Sequence, residues 1–240
     1  MVFSFQHIGN RKTQEDSYFI DEEKGLFVVC DGVGGFENGE FASQLIINSI
    51  VSFFEKLQNR NVDTEVIVKA IKLAQADLNA AMELHAFNSS IGSTIALLYC
   101  QNGKAITAHM GDSRILHLKK ASSTFWTTKD HSLVQELYDA KVLKSKAEME
   151  RHPMKNKITN AIFSGQEPSE IFVTTHELDN IESEDTFALF TDGVLEAYSD
   201  QRLCEMFQHE KFEQTFQEIS EHVKANSCDN STLIVLKVSD

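Results

Sequence analysis

The chain has 240 residues, a length that suits one large domain or two small ones. Hydrophobic residues make up 42% and charged residues 24%, with 2 prolines and 11 glycines, which excludes collagen-like, low-complexity and disordered classes. The 36 acidic residues outnumber the 22 basic ones, and the formal net charge of -14 argues against nucleic acid or an anionic membrane as the main partner.

Short runs typical of β-strands occur along the whole chain, and most are bounded by Gly, Asn, Asp or charged turns. They are predicted at 17–20, 26–30, 93–100, 104–109, 114–118, 124–127, 171–175, 186–190 and 232–238. Helical spacing of apolar residues predicts helices at 41–57 and 64–84, and a later pair at 200–207 and 212–225. Strands in hairpins and helices in blocks favour a layered α+β fold.

Residues 132–155 differ from their surroundings because they are rich in Lys, Glu and short apolar residues. The segment lies between two strand regions without a clear partner, so we expect an excursion from the core. No repeat, flexible linker or break in composition marks a second domain, and a single domain over residues 1–240 is predicted.

The sequence also bears on the compartment. No apolar run approaches the roughly 18 residues of a membrane span, and the N-terminal residues lack the pattern of a signal peptide. The four cysteines form no CxxC pair and have no histidine at zinc-finger spacing, which favours reduced thiols. They are Cys30, Cys100, Cys204 and Cys228. We therefore expect a cytoplasmic protein that does not cross a membrane.

Four acidic clusters stand at the ends of predicted strands, around Asp16, Asp31, Asp192 and Asp229. At Asp31 and Asp192 an apolar strand runs straight into Asp-Gly. Buried carboxylates are costly unless they are paired or bind a metal, so the clusters suggest hard divalent cations held by oxygen. For each site taken alone, a simple turn after a strand remains an alternative.

Other catalytic patterns do not fit. The Gly-rich run that follows Asp31 has no Gly-Lys-Ser/Thr and no complete GxGxxG, so neither a P-loop nor a dinucleotide fingerprint is present. The EF-hand pattern, the GxSxG elbow and HExxH are also absent from the sequence. A serine hydrolase or a zinc enzyme is therefore not predicted.

The order of the motifs resembles the metal-dependent Ser/Thr protein phosphatases of the PPM or type 2C class, in their compact bacterial-like form. The resemblance spans nearly the whole chain, and the ordered set is far more specific than any one motif. It is carried by Arg11-Lys-Thr-Gln-Glu-Asp-Ser17, Asp31-Gly-Val-Gly-Gly35, Gly39-Glu-Phe-Ala-Ser43, Gly92-Ser-Thr94, Gly111-Asp-Ser-Arg114, Asp130-His-Ser132, Asn156-Lys-Ile-Thr-Asn-Ala161, Thr191-Asp-Gly193 and Asp229-Asn230.

The resemblance implies a central β-sandwich of two antiparallel sheets, flanked by helices on both faces, with metals at one end. It implies a binuclear Mn2+ or Mg2+ centre bridged by Asp31. Asp192 and Asp229 would complete one metal site. Glu15 and the carbonyl of Gly32 would complete the other.

The remaining roles also follow from the resemblance. Asp16 would order metal-bound water, and Arg11 would hold the substrate phosphate. Asp112 with Asp192 would hold a weaker third ion. The implied activity is hydrolysis of phosphoserine and phosphothreonine on proteins by a metal-bridging water, with phosphoprotein substrates and an opposing Ser/Thr kinase as partners.

The sequence departs from the family pattern at four positions. Val33 stands where animal members carry a His proposed as general acid, and Phe36 replaces a frequent His of the bacterial form. Glu196 stands where an Asp assists the third metal, and Phe163 replaces a usual Gly. Two alternatives remain open: a catalytically silent module of the same fold that binds a partner or phosphopeptide, and a small-molecule phosphatase.

Overall fold

Two antiparallel β-sheets form the centre of the fold in this computed structural model, which describes residues 1–33, 38–57, 61–85, 90–209 and 211–239. The strands are β1 (Val2–His7), β2 (Asp16–Asp21), β3 (Leu26–Val33), β4 (Gly92–Ser93), β5 (Ile95–Gln101), β6 (Lys104–Met110), β7 (Arg114–Lys119), β8 (Thr124–Thr127), β9 (Ile162–Phe163), β10 (Thr174–Asp179), β11 (Thr186–Phe190) and β12 (Ser231–Lys237). One sheet has the order β1-β12-β11-β7-β8. The other has the order β10-β6-β5-β3-β4-β9, with β2 also paired to β3.

The central strands are buried on both faces, which explains their continuous apolar sequences. In β3, Phe27 and Val29 pack between the two sheets. The alternate residues Leu26, Val28 and Cys30 pack on the opposite face, against helices. Successive side chains of a strand point to opposite faces, so a strand between two apolar layers needs apolar residues at every position.

Helices cover the outer face of each sheet. The helices are α1 (Asn38–Glu55), α2 (Thr64–His85), α3 (Leu133–Asp139), α4 (Lys146–Arg151), α5 (Asp192–Leu195), α6 (Asp200–Phe207) and α7 (Phe212–Asn226). The apolar faces of α1 and α2 pack on the sheet that contains β3. Those of α6 and α7 pack on the sheet that contains β11. The predicted four-layer α+β sandwich is confirmed, and the four long helices begin and end within about three residues of their predicted bounds.

No strand was expected before residue 17, yet β1 forms an edge of the first sheet, paired with β12 from Val2↔Leu236 to His7↔Ser231. Its signal is the short alternation Val-Phe-Ser-Phe. The alternation places Phe3 and Phe5 on one face, where both rings contact Phe216 of α7. An edge strand of this length depends on such tertiary contacts, which a local pattern does not reveal.

The strand predicted at 171–175 is wrong in its position. Pairing with β6 begins at Thr174↔His109 and continues to Asp179. Ile171 is buried in the core under α1 and α2, while the carbonyl of Phe172 accepts a hydrogen bond from Asn160 Nδ2 at 2.8 Å. The apolar residues therefore indicate burial there without strand pairing.

The segment 132–155 is more regular than the sequence suggested, because it contains α3 and α4. Ser132 and Ser145 cap these helices, with their hydroxyls accepting from Gln135 N–H and Glu148 N–H. Helices this short depend on their caps. Among the helices of the described ranges, none is long and apolar enough to span a membrane.

Candidate active site

Two acidic residues face each other where β2 begins and β3 ends. Asp16 is directly opposite Asp31 in the antiparallel register of the two strands. Like charges at directly opposed positions destabilise a sheet, because their side chains are neighbours on one face. This juxtaposition therefore calls for a compensating positive charge.

Asp16 is buried, and only one of its carboxylate oxygens has protein partners. Oδ2 accepts hydrogen bonds from the hydroxyls of Thr191 at 2.9 Å and Thr232 at 2.7 Å. Oδ1 is buried without a hydrogen-bond partner among the described residues. Burial raises the pKa of Asp16 to about 7, although the two hydroxyls act in the opposite direction.

The backbone around Asp31 is held firmly. Its N–H donates to Thr94 Oγ1 at 3.0 Å, and its carbonyl accepts from Thr94 N–H at 2.9 Å. Burial raises the pKa of Asp31 well above its usual value, and the charges of Asp16, Asp192, Asp112 and Asp229 raise it further. Acids from both sheets therefore act on one carboxylate.

Asp192 approaches the same region from the sheet that contains β11, and Asp112 approaches it from the connection between the two sheets. Asp192 is the first residue of α5, two residues after the end of β11, and Asp112 lies between β6 and β7. Burial raises the pKa of Asp192 to about 8, with Asp112 as the next cause. Burial likewise raises the pKa of Asp112 to about 6, and its Oδ1 has no hydrogen-bond partner within the described ranges.

Glu15 and the Gly32 carbonyl converge beside Gly39, near the start of α1. A Cβ added to Gly39 would lie 2.9 Å from both Glu15 Oε1 and Gly32 O. A Cβ on Gly32 would lie 2.1 Å from the Gly39 carbonyl oxygen, so the two backbones approach as closely as glycine allows. Two of the oxygens predicted to share one metal thus border one small space.

Arg11 and Asp229 contact each other at the edge of this region. Arg11 Nη2 lies 2.6 Å from Asp229 Oδ2, and the Arg11 side chain is 57% exposed. The hydrogen bond to Asp229 raises the pKa of Arg11, and burial only partly opposes it. The residue predicted to hold phosphate is therefore an exposed guanidinium that neutralises one of the predicted metal ligands.

Asn230 was given no role by the sequence, yet it connects the loops that carry Glu15 and Asp229. Its Oδ1 accepts from Glu15 N–H at 2.8 Å. Its Nδ2 donates to the carbonyls of Ile8 at 2.9 Å and Thr13 at 3.2 Å. An amide is needed here because the side chain must accept and donate at once. The available signal was its position beside Asp229 in the Asp-Asn pair.

Glu196 fixes the loop that precedes β12. Its Oε2 accepts from Cys228 N–H at 2.6 Å, Ser227 Oγ at 3.1 Å and Asp229 N–H at 3.3 Å. The residue that departs from the family pattern thus binds the backbone of a predicted ligand, Asp229.

The other positions that differ from the family pattern are Val33, Phe163 and Phe36. Val33 ends β3 opposite Gly92, and Phe163 is paired with Gly92 on its other side. The Phe163 carbonyl accepts a hydrogen bond from the buried Gln75 at 2.8 Å. Phe36 lies outside the described residues.

These observations fit divalent cations. The candidate donors are all oxygens, two buried carboxylate oxygens are left without partners, and the glycine contact keeps a space open between Glu15 and Gly32. Within the described ranges, no three carboxylate, imidazole or thiolate groups already stand close enough together to form a cation cage. Of the predicted ligands, the Asp229 carboxylate is paired with Arg11 in this structure.

Comparison with known proteins identifies the family. The family described as Protein phosphatase 2C matches residues 5–235. The chain belongs to this family. It is a protein serine/threonine phosphatase by this membership, and no finding favours the catalytically silent alternative.

Curated relatives and solved structures agree with this assignment. Protein phosphatase PhpP of Streptococcus pneumoniae is 28% identical over 193 residues, which cover 78% of this chain and 76% of that protein. Serine/threonine protein phosphatase PstP of Mycobacterium tuberculosis is 26% identical over 96% of this chain and 43% of its own length. The crystal structure of the latter phosphatase has the same fold, with a TM-score of 0.87, 23% identity and coverage of 100% of this chain and 99% of that one.

A further solved structure is the catalytic domain of PstP in complex with two manganese ions. It aligns with a TM-score of 0.83 at 22% identity, covering 100% of this chain and 98% of that chain.

Proposed function

We propose that this phosphatase depends on two Mn2+ or Mg2+ ions, bound by the acids at the ends of β2, β3, β11 and β12. The observation that carries the proposal is the arrangement of the carboxylates: Asp16 lies directly opposite Asp31, and Asp16 and Asp112 each keep a buried oxygen without a hydrogen-bond partner among the described residues. Four other acids also raise the pKa of Asp31, in addition to burial. Uncompensated buried acids are costly, and divalent cations stabilise them.

In the proposed assignment Asp31 would be a ligand of both cations. Asp192 and Asp229 would help to hold one ion, and Glu15 with the carbonyl of Gly32 would help to hold the other. This division is supported by the shared space beside Gly39, which brings Glu15 Oε1 and Gly32 O together. Asp112 with Asp192 would hold a weaker third ion, for which the partnerless Asp112 Oδ1 provides an acceptor.

The cations, when bound, would supply a water nucleophile at neutral pH and offset charge on the phosphoryl oxygens. Asp16 would accept a hydrogen bond from that water through its free Oδ1, while Thr191 and Thr232 hold its other oxygen in place. Arg11 would exchange its contact with Asp229 for the substrate phosphate, to which a guanidinium can donate two hydrogen bonds.

The proposal extends to partners and setting. We infer that the substrates are phosphoproteins modified by an opposing Ser/Thr kinase in the cytoplasm. The four cysteines carry no disulfide bond, which agrees with a reducing compartment. Residues 1–240 would act as one catalytic domain, with 132–155 as a flap beside the site.

The test uses the purified full chain, treated with EDTA and then dialysed. Turnover of a phosphothreonine peptide and of p-nitrophenyl phosphate is measured without added metal and with Mn2+ or Mg2+. We expect activity on both substrates only after a cation is added. Full activity without metal would contradict the proposal. Cation binding with no turnover of either substrate would instead favour a silent module, and turnover of p-nitrophenyl phosphate alone would favour a small-molecule phosphatase.

A further inference from the structure

One surface segment carries a net positive charge, opposite in sign to that of the rest of the protein. Residues 141–157, called here the basic segment, contain six Lys or Arg residues and two Glu residues, a formal charge of +4. The whole chain carries -14, so the remainder carries -18. The six cations are all exposed: Lys141, Lys144, Lys146, Arg151, Lys155 and Lys157.

These cations are not used by the fold. Among the ion pairs of the described residues, none involves the basic segment, whereas Lys24 pairs with Asp21 and Lys129 pairs with Asp139. The ammonium of Lys144 donates to the carbonyl of Lys141, within the segment itself. A cluster of like charges without counter-ions repels itself, so its positive field is available to an anionic partner.

The basic segment adjoins the candidate active site through its base. Leu133 N–H donates to the Lys157 carbonyl at 2.9 Å, and Thr159 N–H donates to the His131 carbonyl at 2.8 Å. His131 N–H in turn donates to the Gly111 carbonyl at 2.9 Å, next to Asp112. A few residues later, β9 pairs with β4, which pairs with the end of β3 at Gly32 and Val33. The C-terminal end of the segment is thus linked to backbone next to predicted metal ligands, and α3 connects its other end to the same region.

Large apolar side chains are exposed on and beside the same segment. Val142 is 61% exposed, Met154 is 42% exposed, and Phe172, whose carbonyl is bonded to Asn160, is 70% exposed. Exposed apolar groups next to unpaired cations are typical of surfaces that bind a peptide chain, because the apolar groups contribute affinity and the charges contribute orientation.

We propose that the basic segment binds an acidic stretch of the substrate protein, next to the phosphorylated residue. The inference rests on the proposed function, since it names the class of phosphoprotein that this site prefers. The partner is an extended segment rich in Asp and Glu, attracted by the +4 charge of residues 141–157. The rest of the chain, with a formal charge of -18, repels the same segment elsewhere, so the basic segment determines where it binds.

The test compares two phosphothreonine peptides of equal length, one flanked by Glu and one by Lys, together with p-nitrophenyl phosphate. The variant carries K146Q, K155Q and K157Q, which remove three charges without altering backbone contacts. The matched control carries K69Q, K120Q and K211Q, which remove three exposed charges in α2, in the β7–β8 turn and before α7. All measurements use the Mn2+-loaded full chain.

We expect kcat/KM to favour the acidic peptide by about tenfold at low ionic strength, and the preference to fall severalfold in 0.5 M salt. The K146Q/K155Q/K157Q variant should lose most of this preference through KM and keep its rate on p-nitrophenyl phosphate. The control should keep both.

Several results would overturn the inference. Equal turnover of the two peptides by the unmodified protein would do so, as would equal losses in the variant and the control. A variant that gains activity on p-nitrophenyl phosphate would show that the lysines act on the chain's own acids instead. If the unmodified protein hydrolysed none of the substrates, the proposed function itself would be contradicted. The failure of the inference and the failure of the proposed function are therefore distinguishable.

Discussion

Two clusters of acids in this molecule differ in what neutralises them. In one, Arg114 at the start of β7 binds Asp130 with two hydrogen bonds of 2.7 Å and Asp200 with bonds of 2.9 and 3.0 Å. In the other, Asp16 faces Asp31, and four acids raise the pKa of Asp31 beyond the effect of burial.

The difference distinguishes structural acids from acids kept for a ligand. Burial opposes the charge of Arg114, yet the two carboxylates raise its pKa above the ordinary value, so the three groups stabilise one another. Asp16 and Asp112 instead each leave a buried oxygen without a partner among the described residues. A fold that can neutralise two carboxylates with one guanidinium leaves other acids unsatisfied where an external cation is expected.

Replacing an acid of the second cluster, around Asp16 and Asp31, should have the largest effect on activity. We expect Asp31→Asn to lower kcat by on the order of 1000-fold or more, because the cations contribute several kcal/mol to the transition state. In EDTA the variant should unfold at the same temperature as the unmodified protein or higher, because like-charge repulsion is removed. Turnover of p-nitrophenyl phosphate checks the predicted loss of kcat, and thermal unfolding of the same preparation checks the predicted stability. A variant that keeps turnover, or that loses stability without metal, would contradict the comparison.

In the cluster around Arg114, the acids are already neutralised, so a substitution should act on stability in the opposite direction. Arg114→Met leaves Asp130 and Asp200 partly buried without a cation, and we expect a loss of about 3–5 kcal/mol in the free energy of unfolding. Urea unfolding in EDTA measures it. The triple variant with Arg114→Met, Asp130→Asn and Asp200→Asn should recover much of the loss, because no charge remains unpaired. An equal loss in the single and triple variants would mean that packing, and not charge, determines the effect.

The local pattern of an apolar strand that runs into Asp-Gly predicted Asp31 and Asp192, and acids at other strand ends drew attention to Asp16 and Asp229. The role of Asp112 came only from the family resemblance. The sequence did not predict the contacts that hold those acids, since they join residues distant in the chain. Thr232 and Thr191 reach Asp16 from positions more than 170 residues away. The same reasoning explains why β1 was missed: its pairing with β12 is a contact between the two ends of the chain.

Gly39→Ala tests the space between Glu15 and Gly32. The added Cβ would lie 2.9 Å from Glu15 Oε1 and from Gly32 O, so one of the two oxygens must move. Gly39 lies in α1, where alanine is the better helix former, so a simple loss of helix stability is not expected. We expect Mn2+ affinity to fall by about 10- to 100-fold, measured by calorimetric titration. Unchanged Mn2+ affinity would show that the space between Glu15 and Gly32 has no part in cation binding.

The smallest effect is expected at Glu196, which belongs to neither cluster of acids and instead supports the loop of a predicted ligand. It is exposed, and its Oε2 accepts hydrogen bonds from the backbone of Cys228 and Asp229. If Glu196 acts by positioning Asp229, Glu196→Ala should weaken Mn2+ binding by roughly tenfold, because supporting groups of a metal ligand typically have effects of this size.

Glu196→Gln separates positioning from direct ligation. Its amide oxygen can still accept from the same N–H groups, so most of the Mn2+ affinity should return, although a hydrogen bond to a charged acceptor is the stronger one. If Glu196 contacted a cation directly, removing its charge would weaken binding nearly as much in Glu196→Gln as in Glu196→Ala. Calorimetric titration of both variants, with p-nitrophenyl phosphate turnover at saturating Mn2+, distinguishes the two. Equal losses in the variants would place Glu196 among the metal ligands and remove it from the backbone supports.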